Sequence, residues 1–132
     1  QAQKGLTHAA CITRPGGWVI LLAACPEGSG SQAYEDTIQA AGSHQAVIDH
    51  FEEGFFQVGP HKAYQIARDA VRVNLVLVSE IPPKKVKDWK LTPSTPALLG
   101  ELIDWIAARL PEDGRVAVLP DAARTMTEVR HG

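Results

Sequence analysis

The chain is poor in several of the features that most readily betray function. Its 132 residues hold two cysteines, Cys11 and Cys25, and one methionine. Two thiols make no disulfide scaffold, and their spacing is not that of a zinc knuckle. Aromatic residues are 6% of the chain. Neither sign of charge dominates: thirteen Lys and Arg against fifteen Asp and Glu leave a net charge of −2. That excludes the basic footprint of a nucleic-acid binder. The densest basic cluster, Lys84, Lys85 and Lys87, stands beside Asp88 and reads as a solvated turn. No apolar run approaches the about eighteen residues of a membrane span, and no signal peptide is visible, so a cytoplasmic location is the expectation. The chain opens Gln-Ala-Gln-Lys, already in a helical pattern and without a capping residue, which reads as a fragment of a longer polypeptide.

What is present is an ordinary globular balance, 45% apolar and 21% charged, enough for one domain with one core. Its anchor is Pro15 to Gly30, PGGWVILLAACPEGSG. A turn feeds a short apolar run, and turn residues and a helical pattern follow. Runs of that kind read as strands buried on both faces, as in parallel sheets covered by helices. Three such strands are expected, at 18–23, 74–79 and 115–120. Helices are expected at 1–13, 31–41, 43–53, 61–71 and 96–110, with an irregular turn at 84–91. Cys11 falls on an apolar helix face and reads as a small core residue. In the 96–110 helix, Leu98, Leu99, Leu102, Ile103, Ile106 and Leu110 recur at helical spacing. The expected fold is a three-layer α/β domain with a mainly parallel sheet, a single domain over 1–132 whose last residues, 121–132, form a frayed tail.

Ligands of open α/β sheets lie outside the carboxyl ends of the strands, which directs attention to the loop 24–30. Glu27, Gly28, Ser29 and Gly30 between a strand and a helix could let backbone amides approach an anion or a cofactor phosphate. The loop matches neither a Walker motif nor a GxGxxG fingerprint, so plain connection stays open, and a nucleotide-binding domain of another α/β enzyme is disfavoured. His61 and Lys62 stand in a first helical turn beside Tyr64. They read either as a surface pair or as a place for a substrate carboxylate or phosphate. Gln1 and Lys4, one turn apart, say nothing alone. His8, His44, His50 and His131 have no partners at metal-ligand spacing, and no self-contained catalytic constellation is present.

Taken together, QAQKGL, PGGWVILLAACPEGSG, GPHKAYQIAR, VNLVLVSEIPP and RVAVLP resemble the C-terminal domain of the nickel-dependent lactate racemase family, the nickel-pincer 2-hydroxyacid racemases and epimerases. The resemblance implies a larger N-terminal catalytic domain in the same polypeptide, with the active site in the cleft between the two. It implies a nickel-pincer nucleotide whose nickel ligands, tethering lysine and acid/base histidines lie outside this chain. The isolated fragment would then be inactive. The family's C-terminal domain lends the substrate a tyrosine-glutamine pair and a lysine three residues after the glutamine. Gln1 and Lys4 match that glutamine and lysine, with Lys4 holding the carboxylate of a small 2-hydroxyacid and Gln1 hydrogen bonding beside it. Where lactate-specific members place a tryptophan near the cleft, this chain has His61-Lys62-Ala63-Tyr64, so lactate itself is not implied. The alternative is a non-catalytic ligand-binding or interaction module that kept the fold.

Overall fold

A computed structural model describes residues 2–54 and 61–130. Helix α1 (Ala2–Cys11) leads through the Pro15-Gly16-Gly17 turn to strand β1 (Trp18–Leu22). Helices α2 (Gln32–Ala41), α3 (His44–Glu52) and α4 (His61–Ala70) carry the chain to β2 (Asn74–Val78). Helix α5 (Pro83–Asp88), strand β3 (Thr92–Ser94) and helix α6 (Leu99–Ala107) complete the regular elements. The sheet has the order β1-β2-β3, and both pairings are parallel. The α/β class read from the sequence is what forms.

Local chemistry explains the boundaries. Ser31 and Ser43 cap α2 and α3 by accepting the amides of Tyr34 and Ala46. Gly42 ends α2 at φ 80°, a left-handed position that suits glycine. The end of α1 is held by a distant residue: the Arg72 guanidinium donates to the carbonyls of Thr13 and Ala10. The Ala10 carbonyl also accepts from Thr13 N–H, so the cation at that end adds to the local turn, hydrogen bonding the Thr13 carbonyl and complementing the helix dipole.

The register sets Val19 and Leu21 beside Leu75 and Leu77 on one face of the sheet. There they join Leu6, Ile38, Ile66 and Trp89 in the main core. Trp18, Ile20 and Leu22 alternate to the other face, where Trp18 meets Trp105 of α6 edge to face at 5.4 Å.

Four expectations are corrected. Residues 115–120 form no strand: Val116 and Val118 are 79% and 81% exposed, and the third strand is Thr92–Ser94. An apolar run advertises burial, but a strand also needs a pairing partner, and 115–120 pairs with no strand among the described residues, the place beside β2 away from β1 being taken by β3. Pro93 sits within β3, where a missing N–H is tolerable because the strand is at the edge. The leucine-rich helix is also less covered than its periodicity suggests. Only Ile106 of α6 is buried, and Leu98, Ile103 and Trp105 are about half exposed. Cys11 is exposed at the last turn of α1 rather than in the core. Part of the tail is docked, not frayed: Ala122 accepts from His8 Nδ1 at 2.7 Å, and Thr127 Oγ1 donates to the His8 carbonyl at 2.6 Å.

Candidate functional site

The loop after β1 is built on left-handed backbone at Cys25, Gly28 and Gly30, with φ of 47°, 67° and 68°. Its tight winding consumes its own donors. Gly28 N–H donates to the Cys25 carbonyl and Gly30 N–H to the Glu27 carbonyl, while Ser31 N–H bonds to Ser29 Oγ. These amides are therefore not displayed as an anion cradle. The loop instead offers an exposed Glu27 and a half-buried Ser29, whose hydroxyl donates to Glu35 Oε1 at 2.7 Å.

Lys62, in the first turn of α4, reaches across to this loop and donates to the Ser29 carbonyl at 2.6 Å. Its ammonium also lies 5.8 Å from the centre of the Tyr34 ring. A carbonyl and an aromatic face are the partners that offset a cation placed at the positive end of a helix. The contact closes one side of a cavity of about 70 Å³ below the carboxyl end of β1. Ala2 and Gln3 of α1, Gly28 and Ser29 of the loop, and Lys62 of α4 line it together with apolar residues of the sheet. Tyr34 and Trp89 complete the lining from α2 and from the end of α5.

The residues read from the sequence thus divide. Gly28, Ser29 and Lys62 come together around this cavity. Lys4 is exposed, one residue beyond Gln3, and Gln1 lies outside the described residues. His61 and Tyr64 gather against α3: Tyr64 stacks on Phe51 at 5.1 Å, and the His61 ring lies 6.2 Å from Phe51. Glu27 and Gly30 stay exposed on the loop.

The sequence reading named neither Tyr34 nor Trp89 as a site residue. Periodicity along α2 marks Tyr34 as an inward position but carries no sign that Trp89, fifty-five positions on, stands 6.1 Å away. Burial pushes the Tyr34 hydroxyl well above its usual range, and Glu35 adds to the effect. Asp69 was also missed. It is buried on α4 and accepts from Thr7 Oγ1 at 3.2 Å, and Thr7 in turn accepts from Gln3 Nε2 at 2.8 Å. Desolvation raises the Asp69 carboxyl above the ordinary carboxylate value, although the Thr7 hydrogen bond works in the other direction. Among the described residues no three His, Cys, Asp or Glu side chains form a metal-ligand set.

Residues 1–127 match the family model described as the lactate racemase C-terminal domain. The chain belongs to that family. The apoprotein of lactate racemase from Thermoanaerobacterium thermosaccharolyticum superposes with a TM-score of 0.82 at 22% identity. That match covers 96% of this chain and 31% of the other, so the chain spans about a third of the racemase's length. No curated protein matches it. Within the family's fold, the cavity sits where the first turns of α1 and α4 meet the loop after β1.

Proposed function

We propose that this chain is the substrate-side domain of a 2-hydroxyacid racemase or epimerase that uses a nickel-pincer nucleotide. The observation that carries the reading is the family match across 1–127, on a chain whose matching solved relative is about three times as long. The nickel ligands, the tethering lysine and the acid/base histidines would belong to an N-terminal domain of the same polypeptide, in the cytoplasm. The donor set here suits that division. The exposed Lys4 ammonium is a hard, hydrogen-bonding group that suits an organic anion better than a soft metal centre.

When bound in the cleft, the nickel-pincer nucleotide supplies the acceptor for the substrate's α-hydrogen. The part of this chain is to hold the acid. Lys4 neutralises the carboxylate, and Gln1 hydrogen bonds beside it, fixing which face of the α-carbon is presented. Lys62, tied to Ser29, stiffens the rim against which the substrate lies, with His61 and Tyr64 on the flank of α4. Of the loop 27–30, Glu27 and Ser29 would meet the cofactor's polar end through their side chains, while Gly28 and Gly30, whose amides are engaged within the loop, would shape its backbone.

The test is nickel and absorbance analysis of the full-length protein, produced with the cofactor-synthesis enzymes and followed by a racemisation screen of 2-hydroxyacids. Nickel near one per chain, with a chromophore beyond protein absorbance, supports the reading. No nickel under those conditions replaces it with a non-catalytic binding module. In the loaded enzyme, Lys4→Ala should raise KM by about 10- to 100-fold, the worth of a charged hydrogen bond, with nickel content unchanged. Loss of metal with KM preserved would remove Lys4 from the substrate side.

A further inference from the structure

The cavity beneath the rim contains an anomaly that the holding of a carboxylate does not use. Tyr34 and Trp89 are 2% and 3% exposed, and their rings meet at 6.1 Å with a 63° tilt. Neither Tyr34 Oη nor Trp89 Nε1 has a hydrogen-bond partner among the described residues. A buried polar atom left unpaired is costly, and native proteins rarely keep two of them in contact. Both side chains line the same cavity, together with Ile66, Leu77, Ser29 and Lys62.

The chemistry of the missing partner can be read from the walls. An indole N–H only donates, and a phenol can donate, so an oxygen acceptor is the partner that both lack. The rest of the lining is chiefly apolar, and its Gln3 and Ser29 side chains already donate to Thr7 and Glu35, so an ionised group seated there would exchange its hydration mainly for two neutral donors. The nearby cations are committed elsewhere. Lys62 is bound to the Ser29 carbonyl, and Lys85, 6.0 Å from the Trp89 ring, lies 3.9 Å from Glu35. The acceptor is therefore an uncharged oxygen on a short aliphatic arm. A cavity of about 70 Å³ has room for roughly three to five heavy atoms, on the scale of a few waters.

We infer that this cavity receives the C2 substituent of the substrate acid, and that this substituent is a short chain ending in a hydroxyl or carbonyl oxygen bound by Tyr34 and Trp89. The inference rests on the proposed 2-hydroxyacid chemistry. It assigns the substrate class: an acid longer than lactate, with an uncharged oxygen two or three atoms from C2.

The probes are 2,4-dihydroxybutyrate, its near-isostere 2-hydroxyvalerate, and the charged 2-hydroxyglutarate. Calorimetric Kd values are measured on the full-length protein, its Tyr34→Phe and Trp89→Phe variants, and alongside nickel content and racemisation. The wild type should bind 2,4-dihydroxybutyrate at least about 10-fold more tightly than either other acid, because a site built to hydrogen bond rejects an analogue lacking the group. In each variant that preference should shrink several-fold. Either variant suffices if the other fails to fold. Equal binding of the dihydroxy acid and 2-hydroxyvalerate by the wild type overturns the inference and leaves the cavity to water. So does a preference that survives both substitutions, or tightest binding of 2-hydroxyglutarate. Nickel and racemisation without the preference defeat this inference and leave the racemase reading standing. A Tyr34-dependent preference without nickel or turnover does the opposite.

Discussion

Two titratable side chains carry opposite pH signatures. His44 Nε2–H donates to the Lys90 carbonyl at 2.9 Å, while Nδ1 is buried without a partner among the described residues. Burial is the main influence and lowers His44 below the ordinary imidazole value of 6.5. The unfolded chain therefore takes up this proton first, and stability should fall as pH drops below 6.5. Urea melts from pH 7.5 to 5 should show the loss, and His44→Gln should flatten it. Asp69 runs the other way. Its carboxyl is raised, so the folded chain binds the proton more tightly, and stability declines as pH rises from the unfolded value of 3.8 through the raised one. Asp69→Asn keeps an acceptor for Thr7 and removes the desolvated charge. It should be at least as stable as the wild type at pH 7, and a marked destabilisation would show that the charge is needed. Neither signature was legible in the sequence, because the spacing of a lone His or Asp says nothing of what packs over it.

At the scale of elements, the sheet shows which signals are local. The two long strands form where continuous apolar runs stand, one residue shorter at the carboxyl end than the runs suggest. In β2 such a run is buried on both faces, whereas in β1 the face of Trp18, Ile20 and Leu22 stays partly open, with Leu22 60% exposed. Thr92–Ser94 carries no such signature, because an edge strand of three residues needs only free backbone groups at the right distance. The run at 115–120 has the signature without the partner. Helix α1 shows a related dependence: its C-terminal carbonyls are satisfied by Arg72, sixty-two positions beyond Ala10. Arg72→Met keeps most of the stem and removes both charged hydrogen bonds. It should lower stability by about 2–3 kcal/mol and speed amide exchange at the end of α1. Unchanged exchange there would mean that the helix end holds itself.

On the scale of the whole molecule, the two ends of the chain are fastened together. Ala122 packs so closely on α1 that a Cβ at Gly5 would lie 3.0 Å from the Ala122 methyl. With the two His8 hydrogen bonds, this makes the segment after residue 120 part of the wall behind α1. Truncation after Pro120 should cost about 2 kcal/mol, roughly the sum of two hydrogen bonds. It should also loosen α1, the helix that carries Lys4 and Gln3. A truncated chain with the full melting temperature would show that docking to be energetically idle.

The sequence by itself determined the α/β class, two of the three strands and the family, because each is written in residues close together along the chain. It also placed Lys62 and Ser29 among the candidate site residues, from their positions at a helix start and a strand exit. Only the tertiary structure joined those two into one rim, set Tyr34 against Trp89, exposed 115–120 and bound 122–127 to α1. Propensity, periodicity and capping act over a few residues. The contacts that build the cavity join residues dozens of positions apart, and chain closure and packing decide them.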